Sequence, residues 1–267
     1  MEKDTPNLTP VSLLREYINA MNLRQRLQQP TPLHNLFLVT PANWEAEWIA
    51  DSWESLTLDL QHGMIEGPHL LPMLQAIRAG GSIPLARLAW NRPEGVMKAL
   101  DYGVEGLICP MIDTAADAAA FVRATKYPPL GNRSFGPFRA GSLNWDNYFD
   151  TANEETLCFA MIETAAAADN LEAIAATPGL DGLYVGPFDL SVSMGLEKKA
   201  DFSDPGLLAI IDRVLAATKR HGLFSAVFTI DPDDAKLMAG KGFDLITCGT
   251  EDLIFRGAMR RWQKKVF

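Results

Sequence analysis

Residues 182–195 read GLYVGPFDLSVSMG. Leu183, Tyr184 and Val185 form the kind of short apolar run that fills a buried strand. The run ends at a Gly186-Pro187 corner, and the chain then delivers one carboxylate, Asp189, into a stretch of small residues. A strand this apolar must be covered on both faces, which is the condition of a parallel sheet flanked by helices.

Outward from this stretch, the same unit recurs along the chain. Strand-like runs fall at 35–39, 55–60, 83–88, 105–110, 157–163, 182–186, 223–228 and 244–249. Helix-like stretches lie between them, such as PEGVMKALDYG and DPGLLAIIDRVLAATKRHG, opening with Asp or Pro and closing with Gly as helix ends do. Eight such units in 267 residues fit a closed (β/α)8 barrel, the TIM barrel, better than an open sheet. A doubly wound open sheet is the alternative, but no G-x-G-x-x-G follows the first strand. The expected organisation is a lead with an amphipathic helix over 1–30 and a single barrel over 31–267. Residues 127–156 fall outside the repeat as a long loop rich in Gly, Asn and aromatics, of the length that usually carries function.

A net charge of −9 with no basic block argues against nucleic acid, which needs a positive surface to release counterions. No apolar run approaches the length of a membrane span, and the first residues lack the pattern of a secretory signal. The three cysteines, Cys109, Cys158 and Cys248, sit in apolar segments without short spacing, as core thiols in a reducing cytoplasm do.

In a barrel the C-terminal strand ends converge on one face, where chemistry sits. The second strand ends in Asp59, followed by Gln61 and His62 in DLQHG; the third carries Arg87; the fifth ends in Glu163; the sixth runs through Gly186-Pro187 to Asp189. Each alone has a structural explanation as a cap, an ion pair or a loop histidine. Together on one rim they make a chemical set. Glu163 and Asp189 offer oxygen ligands only, which suits a hard cation that keeps several waters, such as Mg2+ or Mn2+. Two open positions on such a cation could chelate a 2-oxo acid, with Arg87 stabilising the enolate oxygen. His62, tuned by Asp59, is the natural proton-transfer group near neutral pH. Backbone N–H groups after Gly186-Pro187 could hold the substrate carboxylate. A Schiff-base route would need a lysine in the barrel mouth, and none of the eight strands contains one.

The segments DLQHG, ARLAWN, YPPLGNRSFGPFRA, MIET and GPFDLSVSMG, in this order and spacing, resemble the HpcH/HpaI family of class II pyruvate aldolases. The resemblance runs from about residue 22 to the C-terminus. It implies a metal-dependent barrel that reversibly cleaves 4-hydroxy-2-oxo acids, such as 4-hydroxy-2-oxoheptanedioate or 2-keto-3-deoxy sugar acids, to pyruvate and an aldehyde. It implies that Glu163 and Asp189 bind the cation (Mg2+, Mn2+ or Co2+), that Arg87 holds the keto or enolate oxygen, and that His62 is catalytic with Asp59 as its partner. Gln61, Gly186, Pro187, Phe188 and Phe228 would line the substrate. It also implies a homo-oligomer, a hexamer or trimer, with the C-terminal helix exchanged between subunits and the 127–156 loop reaching a neighbour.

The chain departs from the family pattern at Gln61, where Glu is common, at Met161, where Gln is common, at Ser134 for Gly, and at Phe188 for Ala. Phe188, with Phe135, Phe138 and Phe228, is expected either to make the aldehyde pocket apolar or to pack the rim or a subunit interface. Two rival functions are an acyl-CoA lyase of the malyl- or citramalyl-CoA type, which usually lacks the histidine of DLQHG, and a non-catalytic barrel that binds a 2-oxo acid.

Overall fold

The computed structural model describes residues 21–143 and 146–266; most of the expected N-terminal lead, residues 1–20, lies outside the described residues. Eight strands, β1 (Leu33–Leu38), β2 (Ser55–Asp59), β3 (Ile83–Arg87), β4 (Gly106–Cys109), β5 (Leu157–Ile162), β6 (Gly182–Val185), β7 (Phe224–Thr229) and β8 (Leu245–Thr250), pair in parallel in chain order. β8 returns to β1 to close the barrel. The expected strands agree with these to within two residues.

Alternation along the strands divides the apolar residues into two cores. Leu36, Leu56, Leu58, Ala86, Cys158, Ala160 and Leu183 face the surrounding helices. Leu33, Phe37, Ile83, Leu85, Leu157, Phe159, Met161 and Tyr184 fill the barrel interior. The same parity carries Asp59, Arg87 and Glu163 inward at the strand ends, so the period that builds the core also aims the chemistry. Among the inner apolar residues sits a fully buried polar mesh. Asn35 Nδ2 donates to Ser55 Oγ (3.0 Å), Thr57 and Thr247 donate to Asn35 Oδ1 (3.0 and 3.1 Å), and Tyr184 Oη shares a hydrogen with Thr247 Oγ1 (2.6 Å). Every buried polar group in it is partnered, as burial requires.

The floor of the barrel is α1 (Leu23–Leu27), a single turn closed by a reciprocal capping box between Asn22 and Gln25. Leu23 and Leu27 insert into the inner core. The Leu23 N–H donates to Glu105 Oε2 at 2.9 Å, and Arg26 pairs with Glu54 at 2.7 Å. The outer layer includes α2 (Asn43–Ala50), α3 (Gly67–Ala79), α4 (Pro93–Tyr102) and α5 (Ala115–Thr125).

Residues 127–156, expected as one loop, contain two short helices, α6 (Phe138–Gly141) and α7 (Tyr148–Glu155). They join α5 to β5, and therefore lie at the end of the barrel where strands begin. Arg133 pairs with Asp101 at 2.8 Å, the Tyr127 N–H donates to Asn153 Oδ1 at 2.7 Å, and the Lys126 ammonium donates to Thr156 O at 2.6 Å. These ties hold the excursion against the floor.

After β5 come α8 (Ala165–Asp169) and α9 (Leu171–Ala175); after β6, α10 (Pro187–Ser193) and α11 (Pro205–His221); after β7, α12 (Pro232–Lys241). The last helix, α13 (Glu251–Val266), is pinned at its start. Glu251 accepts hydrogen bonds from the Val39 and Thr40 N–H groups and the Thr40 hydroxyl at 2.7–2.9 Å. Further along, Phe255, Met259 and Trp262 are exposed. Among the described residues no helix is long and apolar enough to cross a membrane.

Candidate active site

The end of β2 and the end of β3 are in register, with Asp59 beside Arg87. Arg87 Nε and Nη2 donate to the two Asp59 oxygens at 2.9 and 2.7 Å, a planar two-point pair. Asp59 is 1% exposed and also accepts from the Gln61 and His62 N–H groups at 3.1 and 3.3 Å. The guanidinium carbon stands 5.1 Å from the centroid of the Phe37 ring, which supports the cation from a second side. Arg87 thus reaches the cavity already oriented, with Nη1 left to meet a ligand. DLQHG folds back so tightly that a side chain at Gly63 would come within 2.3 Å of the Asp59 carbonyl oxygen. This return is what sets His62 on the cavity wall.

Across the mouth, Glu163 follows β5 and is 1% exposed. Its Oε1 accepts from the Met111 N–H at 2.6 Å. Met111 has φ of 54°, a left-handed conformation unusual for a side chain of this kind and concentrated at functional sites. Burial pushes the Glu163 carboxyl up to about 7 against the pull of the Met111 hydrogen bond, and the negative charge of Asp189 adds to the rise. Asp189 comes from the first turn of α10, immediately after the Gly186-Pro187 corner. Gly186 is required there by close approach. A Cβ would lie 2.8 Å from both Glu163 Cβ and Oε2 and 2.9 Å from Met161 Cε. A Gly186→Ala variant is therefore expected to keep its circular-dichroism spectrum and lose roughly a hundredfold in turnover, the cost of shifting a reacting group by about 1 Å. Wild-type turnover would show that Glu163 moves without consequence.

These groups open onto one cavity of about 400 Å3, lined by His62, Arg87, Glu163, Gly186, Pro187, Phe188, Asp189 and Phe228. Eight of the ten expected site residues meet there. Asp59 and Gln61 do not line it: Asp59 spends its carboxylate on Arg87 and the DLQHG turn, which makes it a positioning residue for the guanidinium. The four expected phenylalanines separate. Phe188 and Phe228 form the cavity wall, with rings 6.1 Å apart and edge to face. Phe135 packs instead with Tyr127 and Phe149 at 5.6 and 5.4 Å, and Phe138 is 90% exposed. The reason is connectivity, because a segment before a strand lies at the opposite end from a segment after one. Phe37, Tyr184, Ile230, Thr250 and Leu253 also line the cavity. Inward parity on β1 and β6 marks the first two; Met111 carries no side-chain signal, since it acts through its backbone.

The donor set suits a divalent cation. Glu163 is a buried carboxylate facing a second one, and among the described residues its hydrogen-bond partner is the Met111 N–H, not a lysine or histidine. Among the described residues no group of three or more His, Cys, Asp or Glu side chains is gathered to hold a metal. Two carboxylates with the remaining positions left to water and substrate is the arrangement that hard, strongly hydrated cations take.

Comparison with known proteins gives a consistent picture. The HpcH/HpaI aldolase/citrate lyase family model matches residues 48–258. A hydroxypyruvate/pyruvate aldolase of Rhizorhabdus wittichii is 34% identical over 230 residues, covering 84% of this chain and 90% of its own. A 2-keto-3-deoxy-L-rhamnonate aldolase of Salmonella gallinarum is 32% identical over 228 residues, covering 84% and 85%. A crystal structure of an HpcH/HpaI aldolase/citrate lyase family protein from Burkholderia cenocepacia superposes with a TM-score of 0.85 at 33% identity, covering 91% of this chain and 98% of that one.

Proposed function

From a chain that belongs to the HpcH/HpaI aldolase/citrate lyase family, we propose a divalent-metal-dependent aldolase that reversibly cleaves a 4-hydroxy-2-oxo acid to pyruvate and an aldehyde. The protein is an enzyme of the aldolase class, as are the relatives named above. The observation that carries the reading is the single cavity in which Glu163 and Asp189 face Arg87 and His62.

Glu163 and Asp189 would hold the cation, Mg2+, Mn2+ or Co2+. When bound it supplies positive charge beside the 2-oxo acid, which acidifies the protons at C3 and offsets charge on the substrate oxygens. Arg87, held flat by Asp59, donates from Nη1 to the keto oxygen as that oxygen gains charge in the transition state. The N–H groups of Phe188 and Asp189, at the head of α10 and without intrahelical partners, receive the substrate carboxylate. His62 takes the proton of the C4 hydroxyl as the C3–C4 bond breaks, and the electron pair stays on C3. Return of a proton to C3 completes pyruvate, and the aldehyde leaves through the apolar side of the mouth. Reversal of the same steps makes the bond.

A homo-oligomer, hexamer or trimer, with α13 exchanged between subunits, is part of this reading. The exposed side chains of Phe255, Met259 and Trp262 on α13 and of Trp44 and Trp48 on α2 support it. The free thiols support a cytoplasmic setting.

Exchange of the pyruvate methyl protons in D2O, followed by NMR, tests the chemistry without knowledge of the aldehyde. Metal-stripped protein is expected to be inert and to gain exchange on addition of Mn2+ or Mg2+. Asp189→Ala is expected to lose it by a factor of a thousand or more. A folded, metal-supplemented protein that leaves the methyl group unexchanged would turn the assignment away from pyruvate and towards the thioester lyase or a binding protein.

A further inference from the structure

The cavity has two chemically distinct ends. Its charged groups, His62, Arg87, Glu163 and Asp189, belong to the 2-oxo acid end, and Arg87 already spends two of its donor nitrogens on Asp59. Among the described residues no lysine and no second arginine lines it. The rest of the wall is mostly apolar, Phe188, Phe228, Ile230 and Leu253 with Phe37 and Met161, and the hydroxyls of its two polar members, Tyr184 and Thr250, are engaged by Thr247 and Asp252. The aromatic part is preformed: Phe228 packs edge-on against Phe37 at 5.3 Å and against Phe188 at 6.1 Å.

From this wall we infer that the acceptor is an uncharged aldehyde with an apolar substituent, rather than a semialdehyde carrying a distal carboxylate. The inference rests on the pyruvate aldolase reading and adds the substrate class of its second site. A distal carboxylate would give up part of its water against phenylalanine, isoleucine and leucine, with no lysine or second arginine among the described lining residues to answer it and two carboxylates already in the cavity. An alkyl or aryl group gains by the same burial. The volume of about 400 Å3 is within the range of small-molecule sites and leaves room beyond pyruvate. In the synthetic direction C3 of pyruvate loses a proton and its electron pair forms the bond to the aldehyde carbon. The aldehyde oxygen takes up a proton, so no oxidant, reductant or further reactant is consumed.

The test is a ladder of acceptors at fixed pyruvate and Mn2+: propanal, butanal, pentanal and hexanal, with succinic semialdehyde as the charged counterpart of butanal. Each methylene is expected to raise kcat/KM about threefold to fourfold, and succinic semialdehyde is expected to fall at least tenfold below butanal. Leu253 and Ile230 are 48% and 43% exposed at the mouth, so a lysine at either place leaves the core intact. Leu253→Lys or Ile230→Lys is expected to shift the ratio towards succinic semialdehyde by tenfold or more. A flat ladder, or a wild-type preference for the semialdehyde, including one caused by an arginine from another copy, would overturn the inference. A ratio unmoved by both lysines would do the same, because the acceptor would then lie elsewhere. Pyruvate exchange in D2O, run on the same samples, separates the two levels. Exchange without the apolar preference removes only this inference, whereas absence of exchange removes the aldolase reading with it.

Discussion

Arg87→Ala is expected to lower turnover by three orders of magnitude or more and, at the same time, to destabilise the fold by about 3–5 kcal/mol. The first effect follows from removing a donor aimed at the oxygen that gains charge, which alone costs a factor of about 100–1,000, together with loss of substrate orientation. The second follows from Asp59. That carboxylate is 1% exposed and answered by Arg87 at 2.7 Å, so the variant leaves a buried charge without its partner. Urea unfolding and steady-state kinetics on one preparation check both. The double variant Asp59→Asn with Arg87→Met separates the effects, because removing both charges restores much of the stability and none of the activity. Equal loss of stability in the single and double variants would show that the pair does not act as a unit.

Glu163→Gln is expected to abolish turnover and yet to stabilise the metal-free protein above neutral pH. Its sign follows from the raised carboxyl. In the folded, metal-free protein Glu163 holds its proton up to about 7, whereas an unperturbed glutamate in the unfolded chain releases it near 4.5. The folded state therefore binds more protons between these values, and stability falls as pH rises from about 4.5 to 7, then levels off. The interval corresponds to about 3 kcal/mol as an upper figure, which glutamine avoids. Melting curves of chelator-treated protein should coincide for wild type and variant near pH 4.5 and separate in the variant's favour by pH 8. Added Mn2+ should then raise the wild-type midpoint and leave that of the variant unchanged. A metal-induced rise of equal size in both would remove Glu163 from the cation.

Both effects concern residues that alternation and strand ends make legible. Asp59, Arg87 and Glu163 occupy inward positions on runs whose apolar members fill the barrel, so their face and height follow from a period of two. What that reading misses is direction and register. The pairing of Asp59 with Arg87 rather than with the imidazole depends on which residue of β2 lies beside which residue of β3. The backbone donor at Met111 depends on a positive φ that no side chain announces. The separation of Phe135 and Phe138 from the cavity has a simpler origin. The composition of their segment does not place it, whereas its position before β5 rather than after it assigns it to the floor. The two short helices within it, with first turns lacking strong local signals, are stabilised by ties such as Arg133 to Asp101 that connect distant parts of the chain.

The floor of the barrel has a kinetic consequence. The turn Leu23–Leu27 comes early in the chain, yet its partners are late. The Leu23 N–H waits for Glu105, 82 residues on, and Arg24 waits for Asp181, 157 residues on. The closing tie of Val39 to Glu251 spans 212 residues. Loops of that length must be closed before their contacts repay the entropy, which slows the search. A nascent chain therefore carries Leu23 and Leu27 uncovered through most of its synthesis, and the barrel seals only when β8 has emerged. That interval, rather than the finished enzyme, is when this protein is most exposed to aggregation.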